Sequence, residues 1–460
     1  MAMSVARTMA DQPPVAASVW HRPVMPEDTK EALARRQAHA AVALVRLGRA
    51  EKAWPSLIHS PDPSVRSYIV NWLEPLGADP KALRAELESL DRDKTPTPSE
   101  GQSRMEAILF HPETSMRRAL ILALGQYGTD WLTPGDREPL MQELLDLYET
   151  DPDAGIHGAA EWTLRRWGQQ DRLKERDDEL AKVKDRGERR WYVNGQGQTF
   201  AVIDGPVEFE MGSPPTEPEH RDGELLHKRV IPRRLAIATK EVTVAQFGKF
   251  QQASPDGSDA PASDLKTYSP DPSGPIVVVT WYRAAAYCNW LSRNERLLEC
   301  YEPNVQGKFA KGMKIKEDAL KLPGYRLPTE AEWECACRAG AVTGRSYGRS
   351  TELLGKYAWY LQNSNNQAWP CGRLQPNDLG LFDMLGNVYE WCQGGIENYR
   401  QGHMYDDIDK YEPLKDVYPR LLRGGSFDCH PAFVRSADRG RYLPSYRDID
   451  GGFRPARTYP

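Results

Sequence analysis

The chemistry of this chain changes near residue 190, so no single architecture fits its whole length. All seven cysteines, Cys288, Cys300, Cys335, Cys337, Cys371, Cys392 and Cys429, lie after residue 280. Before the break the sequence is rich in Ala, Leu, Arg and Glu, which are strong helix formers. After it, Gly, Pro, Trp and Tyr become frequent between short apolar runs. A length of 460 residues with 40% hydrophobic composition reads as globular and leaves room for about two to four domains. The net charge of −5 argues against a chain built mainly for nucleic acid. No stretch approaches the roughly 18 consecutive apolar residues of a membrane span. The first 19 residues lack the apolar core of a signal peptide, and an odd cysteine count without such a signal points to reduced thiols in the cytoplasm.

From residue 29 to 168 the pattern is helical, with apolar residues three and four apart in segments 34–47 and 115–127. Leu47-Gly48, Leu76-Gly77, Tyr127-Gly128 and Trp167-Gly168 each place an apolar residue before a glycine, as at a left-handed helix cap. Pro turns near 61–63, 112 and 152, with Ser, Thr or Asp beside them, precede helices. Together these mark a HEAT-like α-solenoid over 29–168, whose repeats would run near forty residues, behind a flexible N-terminus at 1–28. A plain helical bundle is the alternative. No nucleophile and base are paired in this half, so scaffolding or partner binding is its expected work. Residues 169–191 interleave acids and bases with few apolar side chains, which reads as a solvated helical linker.

Residues 192–460 form the second part. Thr199–Ile203 and Val207–Met211 alternate like the strands of a hairpin, and 275–280 reads as another strand. Trp281–Asn294 reads as an amphipathic helix. Thr329 and Glu332 make a capping box for a helix ending at Arg338. Arg326, Glu330 and Glu332 sit at the strand-to-helix junction and suit a buried Arg–carboxylate network.

Seven segments of this part resemble the formylglycine-generating enzyme, or sulfatase-modifying factor, family. They are Phe209-Glu-Met-Gly-Ser213, the run from Lys240 to Phe247, Val279-Thr-Trp281 with 284–291, Tyr325 to Glu334, Gly380 to Cys392, Leu422-Arg-Gly-Gly-Ser-Phe427 and Gly452-Phe-Arg454, in the family's order. The resemblance implies a C-type-lectin-like fold of low regular structure content, so the whole chain is α+β: a helical solenoid joined to that fold.

The same resemblance implies a chemistry that this chain keeps only in part. Family members that oxidise cysteine hold copper with two cysteines five residues apart, a pair that suits Cu(I). The first falls on Cys429; the second falls on Val434. The family's Trp in its Gly-Asn-x-Trp-Glu-Trp motif is Tyr389, while the Ser of Gly-Gly-Ser is kept as Ser426. The candidate catalytic residues are therefore Cys429 and Ser426, with copper possible only if His430 or a distant thiol such as Cys392 replaces the missing ligand. A buried structural thiol is the other reading of Cys429, since free Cys is among the most buried residue types. The histidines of this part, His220, His227, His403 and His430, show no metal spacing. The family's calcium loop carries over as Asp383 and Glu390 through side chains and Gly386 and Val388 through carbonyls, an oxygen set that suits a hard cation. Turn capping or pairing with arginines is the alternative for Asp383 and Glu390. The family's ligand-facing stretch maps to the C-terminal segment, giving His430, Arg435, Arg439, Arg441, Tyr442 and Tyr446 as a binding surface rich in hot-spot residue types.

Three functions compete: a non-catalytic protein or peptide recognition module on a helical scaffold, a metal-dependent oxidase of cysteine side chains with an altered copper site, and the regulatory tail of a larger signalling system. A site lacking one of two metal ligands favours the first. The expected partner is a protein or peptide, with no membrane and no nucleic acid.

Overall fold

The computed structural model describes residues 26–90, 103–183, 186–254, 262–395, 408–410, 413–414 and 418–460. Most of the expected flexible N-terminus and His403 lie outside the described residues. Eight helices come first: α1 Glu27–Arg46, α2 Ser64–Trp72, α3 Pro80–Ser89, α4 Arg104–Leu109, α5 Pro112–Leu124, α6 Pro134–Thr150, α7 Ala154–Arg166 and α8 Gln170–Leu180. Side chains start several of them. Asp79 accepts from Lys81 N, Asp153 accepts from Ile156 N, and Ser103 with Glu106 closes a capping box. Gly48, Gly77 and Gly168 have φ of 69°, 74° and 75°, the left-handed turn expected of them. Gly128 does not: α5 stops at Leu124. Gly125, just past that end, is required for packing, because a Cβ there would lie 2.4 Å from Trp162 Cζ3 of α7.

Neighbouring helices pack on one another, α1 on α2, α2 and α3 on α5, α5 and α6 on α7. The region is helical, but α2, α5 and α7 are not left open to solvent on every side. A Cβ on Gly155 would lie 2.2 Å from the carbonyl oxygen of Asp378, and one on Gly158 would lie 2.7 Å from Gly380 Cα. Two helix glycines therefore let the backbone of the second part come into direct contact with α7. The solvated-linker reading of 169–191 needs correcting for the same reason. α8 is helical and charged outside, yet Leu173 and Leu180 are buried in the core, because two leucines seven residues apart share one helix face.

The second part contains β1 Trp191–Val193, β2 Thr199–Ile203, β3 Val207–Met211, β4 His227–Ile231, β5 Leu235–Ala238, α9 Val244–Ala253, α10 Ala262–Tyr268, α11 Trp281–Asn294, β6 Tyr301–Glu302, β7 Lys314–Ile315, β8 Tyr325–Arg326, α12 Glu330–Arg338, α13 Leu354–Tyr357, β9 Tyr389–Gly395, β10 Arg420–Arg423, β11 Gly440–Tyr442, β12 Gly451–Gly452 and β13 Ala456–Thr458. The five-stranded sheet has order β1-β2-β5-β13-β8, and a four-stranded sheet has order β11-β10-β9-β12. Strand β13 lies between β5 and β8, antiparallel to both.

Two strand readings change. β2 and β3 do not form a hairpin: β2 lies between β1 and β5 and is buried along its whole length, while β3 pairs with β4. Residues 275–280 form no strand. Ile276 N donates to Val242 O, Val278 N donates to Asp448 O, and Val278 has φ of 58°. An apolar run can be buried without a strand when its amides find different partners. The helices at 281–294 and 330–338 form, the first capped by Thr280 and the second by the expected Thr329–Glu332 capping box. Arg326 meets Glu332 through two bonds of 2.6 and 2.7 Å with both side chains fully buried. One apolar core cluster runs through both parts, from Ala38 and Leu124 to Trp333, Phe382 and Ala456; a second fills the domain around Trp281, Trp391 and Phe453.

Candidate functional site

The mouth of the site is built where β9, the turn after β10 and the segment after β11 converge. Gly424 and Gly425 take φ of 99° and 75°, a conformation that side chains disfavour. That turn delivers Ser426. Its Oγ lies 2.6 Å from Asp428 Oδ1, 2.9 Å from Asp450 Oδ2 and 3.2 Å from Cys429 Sγ. Cys429 Sγ is 3.5 Å from the hydroxyl of Tyr389, which is 3.5 Å from Asp438 Oδ2. Arg221 reaches the other oxygen of Asp438 at 3.3 Å and lies over the Phe433 ring.

One hydroxyl proton cannot serve two carboxylates. Asp450 resolves this by keeping its own: burial, then the charge of Asp428, pushes it up to about 7. Burial pushes Asp438 up to about 6. Burial also raises the Cys429 thiol and, with Cys429 and Asp438 nearby, the Tyr389 phenol. This is the opposite of an activated nucleophile, whose thiolate is favoured by nearby cations or a helix N-terminus. The candidate pair Ser426 and Cys429 is therefore in contact, but its thiol is held protonated.

Asp450 carries a checkable consequence. Its folded value of about 7 stands above the ordinary 3.8, so its charged form opposes folding at high pH and the opposition fades as pH falls through 7 toward 4. Asp450→Asn is expected to exceed wild type in stability by about 2 kcal/mol at pH 8, allowing for partial hydration, and to match it near pH 4. Urea denaturation at pH 8, 6 and 4 reads this; a difference that does not change with pH would show that Asp450 holds no such proton.

The copper ligand set does not assemble. Val434 is fully buried in the core beneath Gly425. Cys392 is buried in β9 with its sulfur facing the carbonyl of Glu390. His430 is exposed, and its Nδ1 accepts from Ala432 N at 3.3 Å to cap a short turn. Among the described residues no three His, Cys, Asp or Glu side chains are grouped to hold a metal ion.

The calcium positions fit only in part. Glu390 Oε1 and Oε2 each lie 2.6 Å from Arg454, and Oε2 also accepts from Trp333 Nε1 at 2.8 Å. Glu390 is thus already neutralised by an arginine. Asp383 Oδ2 accepts from Gly372 N at 2.6 Å, which leaves Oδ1 buried without a partner among the described residues. Gly386 lies with φ of 72° against the backbone of Trp359, and Val388 is buried. A calcium ion would have to share this space with the Arg454 guanidinium, and the residues present do not fit it.

The expected binding surface divides. Arg441, Tyr442 and Tyr446 are exposed, with the two tyrosine rings 4.6 Å apart beside exposed Leu443. Arg435 and Arg439 are not part of it. Arg435 is 1% exposed and holds Glu217 and Glu224 at 2.8 Å each. Arg439 meets Glu330 at 2.7 and 3.0 Å. Buried carboxylates require such partners, and sequence alone does not say which arginine serves which acid. Asp428, Asp438, Asp450 and Arg221 carry no sequence signal that singles them out; the one available hint is Asp428 next to Cys429.

Comparisons with known proteins bear on the family of the second part. Residues 193–459 match the model of the sulfatase-modifying factor enzyme 1-like domain. The formylglycine-generating enzyme of Streptomyces coelicolor is 28% identical over 201 residues, covering 40% of this chain and 53% of its own. The chaperone protein LppX of Paenibacillus barcinonensis is 30% identical over 186 residues, covering 34% of this chain and 65% of its own. The serine/threonine-protein kinase pkn1 of Chlamydia pneumoniae is 31% identical over 190 residues, covering 40% of this chain and 24% of its own. The chain thus spans less than two thirds of each of these relatives. Among solved structures, Treponema denticola variable protein 1 aligns with a TM-score of 0.48 and 27% identity, over 57% of this chain and 95% of that one.

Proposed function

Because the chain belongs to the sulfatase-modifying factor enzyme 1-like family over residues 193–459, we propose that it uses this fold as a non-catalytic recognition module. Its mouth around Cys429 holds a protein or peptide, and the helical region, read as a HEAT-like array, serves as its scaffold. The observation that carries this reading is the lone thiol. Burial disfavours the Cys429 thiolate, the sulfur lies against Ser426 and Tyr389, and its expected partner position is occupied by the core residue Val434. Around it stand Asp428, Asp438 and Asp450, with the exposed Tyr442–Tyr446 pair on the rim. A recess of carboxyl and hydroxyl groups with aromatic edges suits a partner segment that offers a hydrogen-bonding side chain. All seven cysteines are free, which suits a reducing compartment such as the cytoplasm.

The second reading is an oxidase of cysteine side chains. It is favoured by the retained contact between Ser426 and Cys429 and by identity to a formylglycine-generating enzyme. Titration of the reduced protein with Cu(I) against a competing chelator, beside Cys429→Ala, separates the two. The recognition reading expects no site-specific binding and no oxygen uptake with cysteine peptides. Stoichiometric Cu(I) binding that Cys429→Ala abolishes, with turnover, would replace it by the oxidase reading. No membrane or nucleic-acid partner is proposed; among the described residues no helix is long and apolar enough to cross a membrane.

A further inference from the structure

A cavity of about 780 Å³ opens between the end of α7, α8 and the loops around Lys240 and 370–374. Its size lies within the range of small-molecule sites. It is separate in composition from the Cys429 mouth, and neither part of the chain forms it alone.

Two arginines on its wall lie over indole rings at cation–π distance. Arg166 lies 5.1 Å over Trp162 and donates from Nε to Gly125 O at 2.7 Å. Arg373 lies 5.7 Å over Trp369, which stacks at 4.6 Å on Trp359. The two platforms are tied together, since Trp162 Nε1 donates to the carbonyl of Arg373 at 3.2 Å. Neither arginine makes an ion pair among the described residues, and both are exposed to the cavity side. A guanidinium stacked on an aromatic face keeps its planar fork free for a carboxylate or phosphate, with little conformational freedom left to lose.

The rest of the wall carries charges of both signs. Lys240 and Arg165 share a single carboxylate, Glu161, which is buried behind them. Burial alone would raise Glu161, but Lys240 and Arg165 bring it down to about 2, so it stays ionised and its one charge is divided between two cations. Glu241 is a further acid on the wall, and its Oε1 accepts from Asn387 Nδ2 at 3.1 Å. Asp177 and Asp271 line the cavity as the remaining acids.

We propose that this cavity is a binding site for a small organic anion bearing a carboxylate or phosphate group, gripped by Arg166 and Arg373. Such a ligand bridges α7 to the loop that carries Arg373, and so ties the helical region to the domain. This inference is independent of what the Cys429 mouth does.

The test is calorimetric titration of the full chain with inorganic phosphate and, separately, with succinate. Sodium chloride at matched ionic strength is the control. At least one anion is expected to bind with a Kd below about 1 mM. Arg166→Ala and Arg373→Ala are each expected to weaken it by about tenfold, and the double variant to lose it. Arg373→Lys is expected to fall between, since it keeps charge without the fork. Phosphate preference identifies phosphate esters as the ligand class and succinate preference identifies carboxylates. Both side chains are exposed, and the thermal transition of each variant reports that it is folded. Arg36→Ala, an exposed arginine of α1 that does not line the cavity, is expected to bind as wild type. Absence of heat with both anions, equal affinity in the double variant, or an equal effect of chloride would overturn the proposal.

Discussion

Asp378→Asn is expected to destabilise the chain by about 3–5 kcal/mol, the cost of leaving buried charges without their partner. Asp378 is one of the points where the helical region is fastened to the domain. Its Oδ2 lies 2.8 Å from Arg66 of α2 and 2.8 Å from His59 Nδ1, and Oδ1 lies 3.9 Å from Arg118 of α5. Burial opposes the charge of Asp378, but Arg66, His59 and Arg118 outweigh it and hold the carboxyl far below its usual range. Arg118 has a second anchor in Asp153, at 2.7 and 2.9 Å, whereas among the described residues Arg66 has carbonyl oxygens alone besides Asp378. Removing the charge therefore strands Arg66 first. Urea denaturation measures the loss. Limited proteolysis is expected to show faster cutting between residues 168 and 191, as the helical region loosens from the domain. A loss under about 1 kcal/mol would mean that apolar packing along the shared core, and not this ion cluster, holds the two parts together.

Arg454→Met is expected to cost a similar amount, about 3–5 kcal/mol, for a different reason. Arg454 is the fully buried cation among the carboxyl groups of Glu390, Asp383 and Glu241. It also donates to the carbonyls of Ala238, at 3.0 Å, and Phe382, at 2.9 Å. Burial already pushes Asp383 up to about 6 with Arg454 present. Without it, these carboxyls must take up protons to stay buried. The sign follows: folding of the variant then binds protons, so its deficit is greatest at pH 8 and shrinks as pH falls. Adding Glu390→Gln should recover part of the loss, because the stranded charge is gone. If the double variant is as unstable as the sum of the two single changes, Glu390 and Arg454 are not acting as a pair.

Much of the chain is legible in its amino-acid sequence. The caps at Thr329 and Asp153 and the glycines 48, 77 and 168 follow from local rules, because a helix terminus is decided by a few adjacent residues. The family of the second part is legible from the order of its motifs. Readings that depend on packing fare less well. Arg435, Arg439 and Arg441 look alike in sequence, yet only Arg441 is exposed. Residues 275–280 have strand composition but bond to Val242 and Asp448, which are distant in the chain. α8 reads as solvated because nine of its eleven residues are polar, yet its two leucines are in the core.

What the sequence determined by itself was therefore local and categorical: where helices start and stop, which family the second part belongs to, and that Cys429 lacks its partner because Val434 occupies that position. Only the tertiary structure decided which charges are buried, which acids gather around Cys429, and that Arg166 and Arg373 face one cavity. The physical reason is that capping and turn energies are set within a few bonds along the chain. Desolvation and ion pairing depend on neighbours hundreds of residues away, which only the folded packing brings together.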